Sequence, residues 1–193
     1  MKRTRYFHED DYCQRELLPA TSWDYCASEL TKINESSEAH RAPIGWTKMY
    51  IRGEAPVRLR DLKLTAPAIE SIVGSRLPRY DEVLTGYSTH REPSPRTRAF
   101  GTDGGPALYV DLDDDGYVEH AWLDAALTDA SVAGWLPALM ASLPEADELL
   151  FVDWAWGHLQ PVADADAWKQ YFAAQGHARE GIQRMLSKPD DDG

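Results

Sequence analysis

Apolar and polar positions alternate from Arg3 to His8, a run containing Tyr6 and Phe7, and after Glu9-Asp10-Asp11 a second run, Tyr12 to Leu18, ends at Pro19. The period of two predicts two short strands paired through an acidic turn. The period then changes. Trp23, Cys26, Leu30 and Ile33 recur at steps of three and four behind Thr21-Ser22-Trp23-Asp24, which resembles a capping box, so a helix is expected from Ser22 to Glu38. Trp46 to Arg52, ended by Gly53, and Val57 to Leu64, where Val57, Leu59 and Asp61 alternate with Arg58, Arg60 and Leu62, are expected to be strands of one sheet. Thr65 and Pro67 open a short helix carrying Ile69, Ile72 and Val73, with Gly74 as its left-handed terminator.

Glu82 to Tyr87 predicts another strand, and Ser88 to Pro106, rich in Pro, Gly, Arg and Thr, is expected to be the longest loop. Ala107 to Asp111 and Tyr117 to Trp122 alternate on either side of Asp113-Asp114-Asp115-Gly116, the pattern of a hairpin whose glycine takes a positive φ. Val132, Trp135, Leu136, Leu139, Met140 and Leu143 form one helical face, with Pro137 kinking that helix or moving its start. Glu148 to Trp156 is almost continuously apolar, as a central strand should be. Asp164 or Asp166 caps a helix with Trp168, Tyr171 and Phe172, and Ile182, Met185 and Leu186 mark a final helix before a frayed Asp190–Gly193. Strands cluster mid-chain, helices come singly, and no repeat or composition break divides the sequence. The expected fold class is α+β: a single domain over residues 1–193, with an antiparallel or mixed central sheet and helices packed on it.

Composition narrows the function. A chain of 193 residues can hold a core without disulfides, and 43% apolar with 27% charged residues excludes disorder. No apolar run approaches the length of a membrane span, and the basic N-terminus lacks the apolar core of a secretory signal, so a cytoplasmic location is expected. Cys13 and Cys26 lack metal-site spacing and are expected to be reduced and buried. Lys plus Arg number 20 against 32 Asp plus Glu, a net charge of 20 − 32 = −12, which argues against nucleic acid or an anionic membrane and favours a basic partner.

Candidate chemistry is sparse. Asp111-x-Asp113-x-Asp115-Gly116 copies the start of a calcium loop, but its twelfth position is Trp122 and its flanks read as strands, so a hairpin turn is the expectation. His8 and Asp10, two apart on a strand, could converge as a metal-ligating or acid/base pair, while His40, His90, His120, His158 and His177 are scattered. No nucleophile elbow, phosphate-binding loop or dinucleotide fingerprint occurs, and no cofactor is expected. Arg91, Arg96 and Arg98 form a local basic patch that could recognise a carboxylate, although a solvated loop is the commoner outcome, and Trp154 and Trp156 share one strand face on which a ligand could stack, although core packing is favoured.

Arg5-Tyr6-Phe7-His8-Glu9-Asp10-Asp11-Tyr12-Cys13-Gln14, running on to Leu17-Leu18-Pro19, resembles the opening of small bacterial immunity proteins encoded beside polymorphic toxins, including those of contact-dependent inhibition systems. Ile69-Glu70, Gly74, Leu77-Pro78, Tyr80 and Glu82-Val83-Leu84 are similar to a phrase of the SUKH group, also toxin-immunity proteins. The glycine-rich turn that usually follows in that group comes later here, at Gly104-Gly105. The resemblance implies a non-enzymatic inhibitor, an antitoxin that docks on a cognate toxin domain, many of which are basic nucleases. Acidic contacts would then be Asp113, Asp114 and Asp115 at the hairpin tip, Glu119 beside it, and Glu9, Asp10 and Asp11 at the first turn. Two other readings stay open: a metal-dependent hydrolase using His8 and Asp10, and a small-ligand-binding regulatory module using Arg96, Arg98 and Trp154.

Overall fold

Leu17 and Leu18 are consecutive and both buried, yet they belong to different cores. A strand sends successive side chains to opposite faces, so both faces of this strand must be covered. The computed structural model, which describes residues 2–87, 89–124 and 133–186, shows how. Strand β1 is Thr4–His8, β2 Arg15–Pro19, β3 Glu82–Gly86, β4 Glu92–Pro93, β5 Thr97–Gly101, β6 Ala107–Leu112, β7 Val118–Asp124, β8 Leu149–Asp153 and β9 His158–Pro161. Helix α1 is Trp23–Ala39, α2 Ala66–Val73, α3 Leu136–Ala141 and α4 Ala165–Leu186. Six strands form one antiparallel sheet in the order β5-β6-β7-β2-β8-β9, and β1-β3-β4 form a smaller one. The fold is α+β, with helices packed on a mostly antiparallel central sheet.

One face of the large sheet presents Leu17, Phe100, Leu108, Val110, Phe151 and their neighbours to Ile69 and Val73 of α2, Leu136 and Met140 of α3, and Trp168, Tyr171 and Phe172 of α4. The other face is shared by two covers. The small sheet sets Phe7 edge-on, at 5.3 Å, against both Tyr109 and Trp122, whose rings stack 5.1 Å apart. Further along, Cys26 and Leu30 of α1 close over Leu18, Leu150, Val152 and Trp154.

Several expectations are corrected. β1 and β2 are not partners: β1 runs parallel to β3, with Tyr6 beside Leu84, and β2 lies between β7 and β8. Glu9–Asp11 is a single 3-10 turn, and Cys13 at φ 52° throws the chain from the small sheet into the large one. α1 starts without its capping box: Ser22 makes no side-chain cap bond, and Trp23 is exposed. Trp46 to Arg52 is irregular chain, and Val57 to Leu64 contains a 3-10 turn, Leu59–Leu62, that drops Leu59 into the core. Both edges of β2 are already paired, which leaves these two runs no place beside it. The loop expected over Ser88–Pro106 hides β4 and β5, the latter paired along its length with β6.

α2 begins as expected, Thr65 Oγ1 accepting from the Ala68 amide at 3.4 Å. Gly74, however, is right-handed at φ −60°; glycine fits there because a Cβ would lie 2.6 Å from the Glu70 carbonyl oxygen. The hairpin β6–β7 stands as predicted, with Gly116 at φ 85°. α3 starts only at Leu136, with Pro137 in its first turn, where a missing amide proton costs nothing. Val132 and Asp190–Gly193 lie outside the described residues. β8 is an interior strand with all five residues buried. Asp164 caps α4, its Oδ1 accepting from the amides of Asp166 and Ala167 at 3.0 and 2.9 Å, and one continuous helix stands where two were expected. Among the described residues no helix is long and apolar enough to cross a membrane.

Candidate functional site

Between the two covers, the small sheet and α1, a cleft of about 270 Å³ opens. Its floor is Glu16 and Leu18 of β2. One wall is Tyr12 and Cys13, just after the first turn; Tyr25 of α1, Glu119 and His120 of β7, and the segment from Arg52 to Leu59 complete it.

Glu16 is the buried charge at the floor. Its Oε1 accepts from Arg52 Nη1 and from Trp154 Nε1, both at 2.8 Å, and the Arg52 guanidinium lies 4.0 Å above the Trp154 ring. A buried carboxylate is tolerated when it is hydrogen-bonded and an opposite charge is close, and Arg52 and Trp154 meet both needs at Oε1. Cys13 lines the cleft with the same carboxylate; burial first, and then the charge of Glu16, push its thiol pKa far up. Burial also pushes Cys26 up to about 12. A nucleophilic cysteine needs the opposite shift, so both remain thiols at neutral pH. Tyr12 donates to Asp111 Oδ2 at 3.1 Å, with its own pKa raised chiefly by burial.

The mouth of the cleft is a chain of ion pairs. Arg58 reaches Glu54 at 2.7 Å and Glu119 at 3.5 Å, and Arg96 reaches Glu119 at 3.5 Å and Asp114 at 3.4 Å. The expected acidic contacts therefore differ among themselves. Asp113 is turn architecture, its Oδ1 accepting from the Asp115 and Tyr117 amides at 3.0 and 2.9 Å. Asp114 and Glu119 are paired with arginines, and Glu119 lines the cleft. Asp115 is exposed and has no ion pair among the described residues. Glu9, Asp10 and Asp11 are all exposed, directly before Tyr12 in the opposite wall.

His8 and Asp10 do come together. The Asp10 amide donates to His8 Nδ1 at 3.2 Å, and that nitrogen lies 3.5 Å from Asp10 Oδ2. Among the described residues, no three of His, Cys, Asp and Glu gather closely enough to hold a metal ion. Asp111, the first position of the calcium-like motif, is engaged by Tyr12 and Thr97. The three arginines do not converge. Arg91 covers the Tyr6 ring at 4.4 Å, Arg96 joins the ion-pair chain, and Arg98 donates to the Pro95 carbonyl at 2.7 Å. Trp154 and Trp156 lie beyond the end of β8 and share no face: Trp154 is buried over the cleft floor and Trp156 is exposed.

Sequence reading missed the segment that leads into the outer wall. Ile44, Met49 and Ile51 are 95%, 83% and 87% exposed, Trp46 is 62%, and Tyr50 is partly so. Polar side chains hold the segment in place while these apolar ones face outward. Tyr50 donates to Glu29 Oε2 at 2.9 Å, Tyr25 donates to the Gly53 carbonyl, and Arg52 reaches down to Glu16. Glu29 carries a lowered pKa, held down first by Lys32 and then by Tyr50 against a burial penalty. The available signal was the run of β-forming residues from Trp46 to Arg52, which the structure leaves as irregular chain outside either sheet. In comparison with known proteins, no family model matches the chain, and no significant match is found among curated proteins or solved structures.

Proposed function

We propose that this chain is an immunity protein that binds a cognate toxin domain, a basic nuclease by the charge it fits, and neutralises it without a reaction of its own. The supporting observation is the position of the two acidic turns. Glu119, beside the hairpin tip, stands in one wall of the cleft, and Tyr12, the residue after Asp11, stands in another. A basic surface approaching this rim meets Glu9, Asp10, Asp11 and Asp115 as open charges. It meets Asp114 and Glu119 as charges that can exchange Arg58 and Arg96 for cations of the partner. The net charge of −12 steers such a partner inward and accelerates encounter. The resemblance of the opening residues to toxin-immunity proteins supplies the identity of the partner class.

The reading is tested by capturing partners on the tagged chain across a salt series and identifying them by mass spectrometry. A stoichiometric basic domain, released as salt rises, is the expected result. Reversing Glu9, Asp10 and Asp11 to Lys should then weaken binding by about tenfold or more, roughly 1.4 kcal/mol, without lowering the melting temperature. Unchanged affinity in that variant would remove the first turn from the interface, and recovery of no basic protein would end the proposal.

A further inference from the structure

The cleft between the small sheet and α1 carries a charge it does not balance. Glu16, Glu54 and Glu119 line it against Arg52 and Arg58, three carboxylates to two guanidiniums. Arg96 and Asp114, which extend the ion-pair chain at its mouth, cancel each other and leave the difference as it was. At the floor the imbalance is local. Glu16 is only 6% exposed, and its hydrogen bonds from Arg52 and Trp154 both fall on Oε1. Among the described residues no hydrogen bond reaches Oε2, which leaves one acceptor of a buried carboxylate open in the lining of a cavity. An unmatched buried acceptor is costly, and a cationic donor is its strongest match.

The protein already shows which donor suits this carboxylate. Arg52 sets its guanidinium 4.0 Å over the Trp154 ring while donating to Oε1 at 2.8 Å, an aromatic face and an ion pair together. The cleft offers the same combination again: the carboxylates of Glu16 and Glu119, and the rings of Tyr12 and Tyr25, whose hydroxyls are held by Asp111 and the Gly53 carbonyl. Glu119 is held loosely, with Arg58 and Arg96 each at 3.5 Å, so it can turn to a closer cation. A guanidinium suits a partly apolar cavity better than an ammonium, because it is planar, weakly hydrated and able to stack on aromatic rings. An anion is disfavoured, since carboxylates already engage Arg52 and Arg58 at 2.8 and 2.7 Å. The volume of about 270 Å³ lies just under the ~300 Å³ at which small-molecule clefts begin, which limits the guest to roughly the size of one side chain.

From this we infer that the cleft binds a single alkylguanidinium group, with Glu16 Oε2 and Glu119 receiving its charge and Tyr12, Tyr25 and Leu18 flanking its stem. The group can belong to a small free molecule or to an arginine that a protein partner inserts. The inference does not rest on the toxin reading, since both sources would use the same cavity.

Calorimetric titration of the full chain with butylguanidine should show one saturable site with a Kd of about 1 mM or lower, as fits a fragment this small. Butylurea, which keeps the shape and lacks the charge, should bind weaker by about tenfold or more. Butylamine should also bind more weakly than butylguanidine. Glu16→Gln should lower the affinity for butylguanidine by about tenfold or more. Should that variant fail to fold, Glu119→Gln at the mouth should lower it by about threefold. Asp166→Asn, which removes an exposed carboxylate on α4 across the sheet, should leave it unchanged. Repeating the titration on the complex with a captured basic domain separates the sources: lost binding assigns the cleft to the partner's arginine, and retained binding assigns it to a free molecule. No saturation by about 10 mM, equal binding of butylurea or butylamine, or indifference to Glu16→Gln and Glu119→Gln overturns the inference, whatever becomes of the toxin reading. Failure to capture a basic domain ends the toxin reading alone.

Discussion

Two buried carboxylates meet at β2 and end in different roles. Asp153 of β8 lies across from Arg15, on the helix-covered face; Glu16, the next residue, points to the other face. Asp153 is fully enclosed. Arg15 Nε at 3.1 Å, the Tyr171 hydroxyl at 2.6 Å, and the Ala155 and Trp156 amides, both at 3.1 Å, fill its acceptors, and α4 seals it. Glu16 has two of the same kinds of partner, a guanidinium and an aromatic donor, but its guanidinium comes from Arg52, in the stretch that carries the outward apolar side chains. Similar chemistry therefore does two jobs. A carboxylate tied to a helix and a turn pins the fold; one tied to a surface segment fixes how that segment is presented.

The largest expected effect of breaking this contrast is at Asp153. Asp153→Ala leaves the half-buried Arg15 without its counter-charge, and denaturant unfolding should show a loss of about 3–5 kcal/mol. A loss below about 1 kcal/mol would mean that the network contributes no more than an ordinary hydrogen bond. Glu16→Ala should cost less, about 1–3 kcal/mol, because Arg52 can turn to solvent while the Trp154 indole loses its acceptor. Its sharper signature lies elsewhere: limited proteolysis between Ile44 and Arg58 should accelerate in Glu16→Ala but not in Asp153→Asn under native conditions. Equal acceleration in both would erase the distinction.

The smallest effect is in pH. Cys13 lies near Glu16 in the cleft lining and Tyr171 donates to Asp153, and burial first, then the neighbouring carboxylate, raises both pKa values above their ordinary 9.0 and 10.0. Folded values raised above unfolded ones give stability that is complete below the unfolded value and is lost as pH rises toward the folded value. Melting temperature should therefore fall above pH 9.0 and more steeply above 10.0. Cys13→Ala should blunt the first part and Tyr171→Phe the second. A melting temperature flat across that range would count against both contacts.

The hairpin β6–β7 was legible because alternation, Gly116 and the register of its strands are local. β8 was legible from the apolar run Leu149–Val152, although the strand ends at Asp153 and not at Trp156. The rest depended on distant partners. Thr97–Gly101 sits among Pro95, Gly104 and Gly105, and only the adjacent β6 makes it a strand. Trp46–Arg52 has the residue types of a strand, yet the structure leaves it as irregular chain, tied down by Tyr50 to Glu29 and by Arg52 to Glu16. The cleft was illegible for the same reason: Glu16 draws its donors from 36 and 138 residues away. The His8–Asp10 approach, two residues apart, was visible at once.

The position of β2 between β7 and β8 also sets the order in which the molecule can assemble during synthesis. β1 and β2 emerge first, yet β1 waits for β3, Arg3 reaching Asp81 78 residues later, and β2 waits for the strands beginning at Val118 and Leu149. Sheets built from such distant pairings close slowly, because the entropy of long loops is lost before the contacts form. The pairing of β6 with β7 is local, whereas β2 can pair only once β7 and β8 have both been made. Until then Leu17 and Leu18, which the folded chain buries in two different cores, have no partner strands to cover them.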